Sequence, residues 1–223
     1  MAGAFKVAID QKHAPASGPV VVTGFEPFGG RSRNRSWEAV RRMSGELPCE
    51  TWRLPVDYVR LRSEIAAICE RQPSVVLLVG ECPARSLAVE QIALNVVDTD
   101  RPDNSRQTPS HETLLAGAPL ALRAAWDARA VAARIEAAGI PATPSFHAGT
   151  YACNAALFLA LASLSENARV GFLHVPYWPR PRGIRLDALG QAIRICVEAL
   201  SVSSRNRPLR GRQTFAGRRG RVR

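Results

Sequence analysis

The sequence predicts an α/β chain, a three-layer α/β/α sandwich on a mostly parallel, twisted sheet. Three observations carry this. The β-branched run Val20–Thr23 is followed by a glycine-rich loop, Gly24–Gly30, and then a helix-forming stretch, which is the usual α/β opening. The run S-V-V-L-L-V at Ser74–Val79 lacks polar alternation, as a strand buried on both faces requires. Short apolar runs then alternate with helix-forming stretches, which favours parallel strands joined by crossover helices.

Each element has its own local reason. Three glycines and a proline in G-F-E-P-F-G-G stop the first strand, Asn34 to Ser36 offers a helix cap, and Trp37–Met43 forms the helix. Glu50–Leu54 reads as a second strand. A helix follows from about Val56 to Arg71, with Val59, Leu61, Ile65, Ala66 and Ile68 assigned to its apolar face. Gly80 ends the central strand. Val89–Val97 alternates loosely and reads as one strand. The polar, proline-dotted stretch Asp98–Pro119 is a long loop of the kind that covers substrates. Asp127–Ala138 is a capped helix closed by Gly139 and Pro141, and Thr143–Phe146 is a strand. The Ala- and Leu-rich run from Asn154 to Leu164 is helical, Ala168–Val175 is a buried strand, and Leu186–Val202 is a final amphipathic helix.

The 223 residues suit one domain over 18–202, between a loose extension at 1–17 and a disordered tail at 203–223. Ser201–Arg223 holds eight arginines and no acid, so most of the net charge of +11 lies there. Such a tail suits an acidic surface or nucleic acid, or is a solvated extension with no partner. No apolar run reaches the ~20 residues of a membrane helix, and the N-terminus reads as no signal peptide. The five cysteines are scattered, with no C-x-x-C pair. That argues against a disulfide scaffold or structural zinc and fits a reducing, cytoplasmic setting.

The segment from Ser145 to Pro179 places Cys153 at a helix N-terminus and His174 near the end of the following strand. Unpaired amides and the positive helix end favour a thiolate at Cys153. Open α/β sheets bind ligands at the edge where His174 emerges. The residues alone leave two readings: a nucleophile with its base, or an inert core thiol and a satisfied core histidine.

Three segments together resemble pyroglutamyl-peptidase I, the pyrrolidone-carboxylate peptidases. The first is T-G-F-E-P-F-G-G with N-R-S-W-E-A-V behind it. The second is V-G-x-x-x-x-R, then E-x-x-A-x-N and P-D-N. The third is A-G-T-x-x-C-N followed by G-F-x-H-V-P-Y. The resemblance implies a cysteine exopeptidase that removes an N-terminal pyroglutamyl residue without metal or cofactor. It assigns Cys153 as nucleophile, His174 as base and Glu90 as third member. It makes Phe25 and Phe28 aromatic walls for the lactam ring and implies a homo-oligomer; Tyr151, which with Ala152 replaces the family's usual Phe-Val before the cysteine, is read as a substrate-binding residue.

The second segment departs from the family's pattern. Gly80–Arg85 reads G-E-C-P-A-R where the family has G-x-A-G-G-R, so Glu81 and Pro83 stand where small or amide residues are expected. The family arginine next to the oxyanion falls at Asp100, and Arg101 substitutes only if the loop shifts. These departures leave open a diverged member with another lactam or N-acyl substrate or with weak activity. They also leave open a binding protein on the same scaffold.

Overall fold

A computed structural model describes residues 18–165, 167–177 and 183–202, so the extension and the arginine-rich tail lie outside the described residues. The elements are β1 (Val20–Phe25), α1 (Arg35–Met43), β2 (Glu50–Leu54), α2 (Tyr58–Glu70), β3 (Val75–Cys82), β4 (Leu87–Glu90), β5 (Ile92–Leu94), β6 (Ala121–Arg123), α3 (Ala128–Ala137), β7 (Ala142–Ser145), α4 (Ala152–Ser163), β8 (Arg169–Pro176) and α5 (Leu186–Val202). The main sheet has the order β2-β1-β3-β8-β4-β7.

Strand alternation divides the core in two. Val22, Leu77, Val79, Leu173 and Val175 pack against α1, α3 and α5. Val21, Val76, Leu78, Val170 and Phe172 pack against α2 and α4. Two helical layers on one sheet give the expected three-layer sandwich. Helix starts follow side-chain chemistry. Asn34 accepts the Ser36 N–H, Asp57 those of Val59 and Arg60, and Asp127 those of Arg129 and Ala130.

β3 runs on through Gly80 to Cys82 rather than ending at Gly80, and three further expectations change. First, the stretch 89–97 is two strands, not one. Gln91 breaks it, donating from Nε2 to the Trp126 carbonyl and accepting from the Ala128 N–H. Beyond it β5 leaves the main sheet to pair antiparallel with β6, a three-residue strand that the sequence pattern does not mark. Second, the main sheet is mostly parallel as expected but not wholly so: β4 runs antiparallel to β8, so β4 and β7 oppose the other four strands. Third, α2 begins at Tyr58 and buries Leu61, Ile65 and Ile68; Ala66 is exposed and Val59 is 74 % exposed. Val59 lies in the first turn, off the buried stripe.

Candidate active site

The alternation that builds the core also gathers the candidate residues. Val79, Val89 and Leu173 turn toward α1, α3 and α5. The intervening Gly80, Glu90 and His174 therefore turn toward α4, which carries Cys153. Register brings them level. His174 pairs with Gly80 of β3 and Ala88 of β4, so Glu90 is its diagonal neighbour. Glu90 Oε1 lies 2.7 Å from His174 Nδ1, with both residues buried. The Phe172 ring, its centroid 4.6 Å away, backs the imidazole. With Nδ1 committed to the carboxylate, Nε2 remains for proton transfer. The second oxygen of Glu90 has no hydrogen-bond partner among the described residues. A buried carboxylate held this way stabilises an imidazolium.

Cys153 is the second residue of α4, and Tyr151 is the N-cap without a side-chain cap bond. The first amides of the helix are thus not taken by a capping side chain and can stabilise an anion. Gly80 lets the sulfur in: a Cβ there would stand 2.8 Å from Cys153 Sγ and 2.7 Å from Phe172 Cζ. The thiol differs from the expectation of a dipole-stabilised thiolate. Burial pushes its pKa well up, and Cys82, Glu90 and Glu81 add to the rise. Desolvation outweighs the helix end, so Cys153 rests as a thiol and needs a base to be nucleophilic.

Cys153, His174 and Glu90 all line one cavity of about 350 Å³. No hydrogen bond joins the sulfur to the imidazole among the described residues; such contacts commonly tighten only with substrate bound. The other sequence candidates reach the same cavity. Phe25 and Phe28 line it, and Tyr151 sets its ring at a tilt to Phe28, centroids 6.0 Å apart, while donating to the Pro102 carbonyl. Arg101 lines it too and donates to the Tyr177 hydroxyl at 3.4 Å, whereas Asp100 is exposed and outside the lining. Arg85 is exposed and stays away, while Glu81, Cys82 and Pro83 are lining residues. A second histidine, His147, lies on the rim with Nδ1 accepting the Gly149 N–H. That bond orients it to its own turn, and among the described residues it has no carboxylate partner comparable to Glu90.

Sequence reasoning missed one supporting residue. Asn154, fully buried, accepts the Leu94 N–H and donates to the carbonyls of Leu94 and Val96. It ties the start of α4 to β5 and so fixes the turn carrying Cys153. An uncharged amide directly after the cysteine was the available signal.

Comparison with known proteins gives the family and the fold. A family model described as pyroglutamyl peptidase matches residues 19–204. The pyrrolidone-carboxylate peptidase of Thermococcus kodakarensis is 36 % identical over 194 residues, covering 80 % of this chain and 94 % of that one. Its counterpart in Chromobacterium violaceum is 35 % identical, covering 80 % and 90 %. Among solved structures, the pyrrolidone carboxyl peptidase of Thermus thermophilus superposes with a TM-score of 0.77 at 36 % identity, covering 81 % of this chain and 99 % of that one. That of Thermococcus litoralis gives 0.78 at 32 % identity, covering 85 % and 96 %. The chain belongs to the pyroglutamyl peptidase family of cysteine-type hydrolases.

Proposed function

We propose that the chain hydrolyses the amide bond after an N-terminal pyroglutamyl residue, with Cys153 as nucleophile, His174 as general base and acid, and Glu90 as its partner. The observation that carries this is the buried Glu90–His174 hydrogen bond on the cavity that Cys153 faces. His174 takes the thiol proton as sulfur attacks the carbonyl carbon. The resulting oxyanion faces the uncapped amides at the start of α4, with the Arg101 guanidinium at the cavity wall. His174 then protonates the departing amine. Water, deprotonated by His174, attacks the thioester; pyroglutamate leaves and the thiol is restored.

The flat lactam ring fits the aromatic wall of Phe25, Phe28 and Tyr151. Release of fluorophore from a pyroglutamyl amide, compared with the prolyl amide, tests the reading. The two substrates differ by the lactam carbonyl, which also makes the ring nitrogen a neutral amide instead of a basic amine. Wild type should prefer the pyroglutamyl amide strongly, and Cys153→Ala should release none. Equal rates on both substrates, or for both proteins, would refute it.

The scattered free thiols favour a reducing, cytoplasmic setting. Among the described residues no helix is long and apolar enough to cross a membrane. Self-association, read from the family, is tested by sedimentation of the purified chain. Nucleic-acid binding through residues 203–223 is tested by the salt dependence of RNA and DNA affinity with and without them.

A further inference from the structure

Where β3 ends at the cavity, it carries a carboxylate that belongs to none of the steps above. Glu81 follows Gly80, and its side chain is 1 % exposed. One oxygen accepts the Arg35 N–H at the start of α1. The other pairs with Arg31 Nη1 at 2.7 Å. The Arg31 guanidinium lies between two rings, 4.4 Å from the Phe28 centroid and 4.5 Å from the Tyr177 centroid. Arg31 also donates from its backbone N–H and Nε to the Phe28 carbonyl. Phe28 and Tyr177 both line the cavity, from the β1–α1 loop and from the residue after β8.

From this we infer that Glu81 and Arg31 form a latch that positions the lactam wall: the buried carboxylate anchors a guanidinium that clamps Phe28 to Tyr177 across the cavity mouth. The inference rests on the proposed lactam site and adds a positioning pair to it. Three features support a positioning role. A planar cation between two ring faces fixes the separation and tilt of both rings, which one hydrogen bond to either residue does not. The anchor is buried whereas Arg31 is about one-third exposed, so the pair is held from its protein side and free to release on its solvent side. Neither residue is bonded to Glu90 or His174, so the latch acts on ring binding rather than on proton transfer.

The latch also senses acid. Burial raises the Glu81 pKa, against the lowering effects of the Arg35 N–H and Arg31. The charged and titratable groups around it are Arg31 on the loop, Arg35 and Glu38 on α1, Cys82 on β3, Cys153 on α4, Glu90 on β4, and His174 and Tyr177 from β8 and its end. On acidification Glu81 takes up its proton earlier than an ordinary glutamate. Arg31 then loses its anchor and the rings lose their clamp. Lactam affinity falls as pH falls; the lactam itself carries no titrating group, and Glu81→Gln separates the Glu81 contribution from those of Glu90 and His174 on the same cavity.

Calorimetric titration with 2-pyrrolidone across the acidic to neutral range tests this on wild type, Glu81→Gln and Arg31→Met. A thermal melt of each protein serves as the folding control. Wild type should bind more weakly as pH falls. Both variants should bind about tenfold more weakly at neutral pH, with little further loss on acidification. Against a pyroglutamyl amide both should raise KM with kcat nearly unchanged. Arg31→Met keeps the buried carboxylate and alters only a loop side chain, so it remains informative if Glu81→Gln folds poorly. Variants matching wild type in affinity and pH profile, a loss confined to kcat, or a wild type that binds no pyrrolidone would each overturn the latch. Wild type binding pyrrolidone with the expected pH profile but cleaving no pyroglutamyl amide would refute the peptidase reading and leave the latch standing.

Discussion

Replacing Glu90 with glutamine is the sharpest single perturbation of the proposed chemistry. The side chain keeps its shape and one oxygen, but loses its charge and can present an N–H to His174. In wild type the carboxylate oxygen sits 2.7 Å from Nδ1, buried, with its other oxygen unpartnered among the described residues. At an effective dielectric near 20, opposite charges centred ~4 Å apart attract by about 4 kcal/mol. That attraction is complete only when His174 has taken the Cys153 proton, so it stabilises the transition state more than the resting enzyme. Its loss corresponds to roughly three decades in kcat, with added loss if the amide selects the wrong tautomer. KM should change little, because the ring walls are untouched. The melting temperature should move by only a few degrees, since the variant also removes a buried charge. The assay is pyroglutamyl-amide hydrolysis, normalised to thiol content. A Glu90→Gln enzyme retaining more than about one-tenth of wild-type kcat, or losing activity only through KM, would refute the reasoning.

Other perturbations reach separate parts of the fold. Gly80→Ala puts a methyl group 2.8 Å from Cys153 Sγ and 2.7 Å from Phe172 Cζ. It should cost about 1–3 kcal/mol in denaturant unfolding and displace the sulfur enough to lower kcat at least about tenfold. Asn154→Ala removes three hydrogen bonds from α4, two to Leu94 of β5 and one to Val96 beyond it, and strands buried backbone groups. It should destabilise by about 3 kcal/mol and slow hydrolysis, measured by urea melts and steady-state rates. Cys196 is fully buried in α5, and burial pushes its thiol above the ordinary value of 9.0. Below that value folded and unfolded thiols are both protonated; above it only the unfolded thiol ionises, so stability falls as pH rises. Cys196→Ala should make the alkaline slope of unfolding free energy shallower by up to about 1.4 kcal/mol per pH unit. An unchanged slope would contradict the burial argument.

Much of this was legible before any coordinates. The bounds of α5 and the caps Asn34 and Asp127 follow from local patterns that tertiary packing did not override. The two-residue period already places Glu90 and Val89 on opposite faces, so a core valine implies a site-facing glutamate. The reversal of β4 had a readable cue too. Only residues 83–86 separate β3 from β4, fewer than a parallel crossover needs. The break at Gln91 was harder, because its partners Trp126 and Ala128 are distant in sequence. The thiol's raised pKa depends on surrounding protein mass, which a helix N-terminus does not report. The Glu81–Arg31 pair spans the β1–α1 and β3 segments, so the substitution was visible at Glu81 but its partner was not.

The central claim is that a pyroglutamyl thioester forms on the Cys153 sulfur. Rapid acid quench of the enzyme mixed with a pyroglutamyl ester, followed by peptide mass spectrometry, measures this directly. A pyroglutamyl adduct should appear on the peptide containing Cys153, build up within the first turnovers, and be absent when Cys153 is alanine. Turnover of the ester with the adduct on another residue, or with Cys153→Ala as active as wild type, would contradict it.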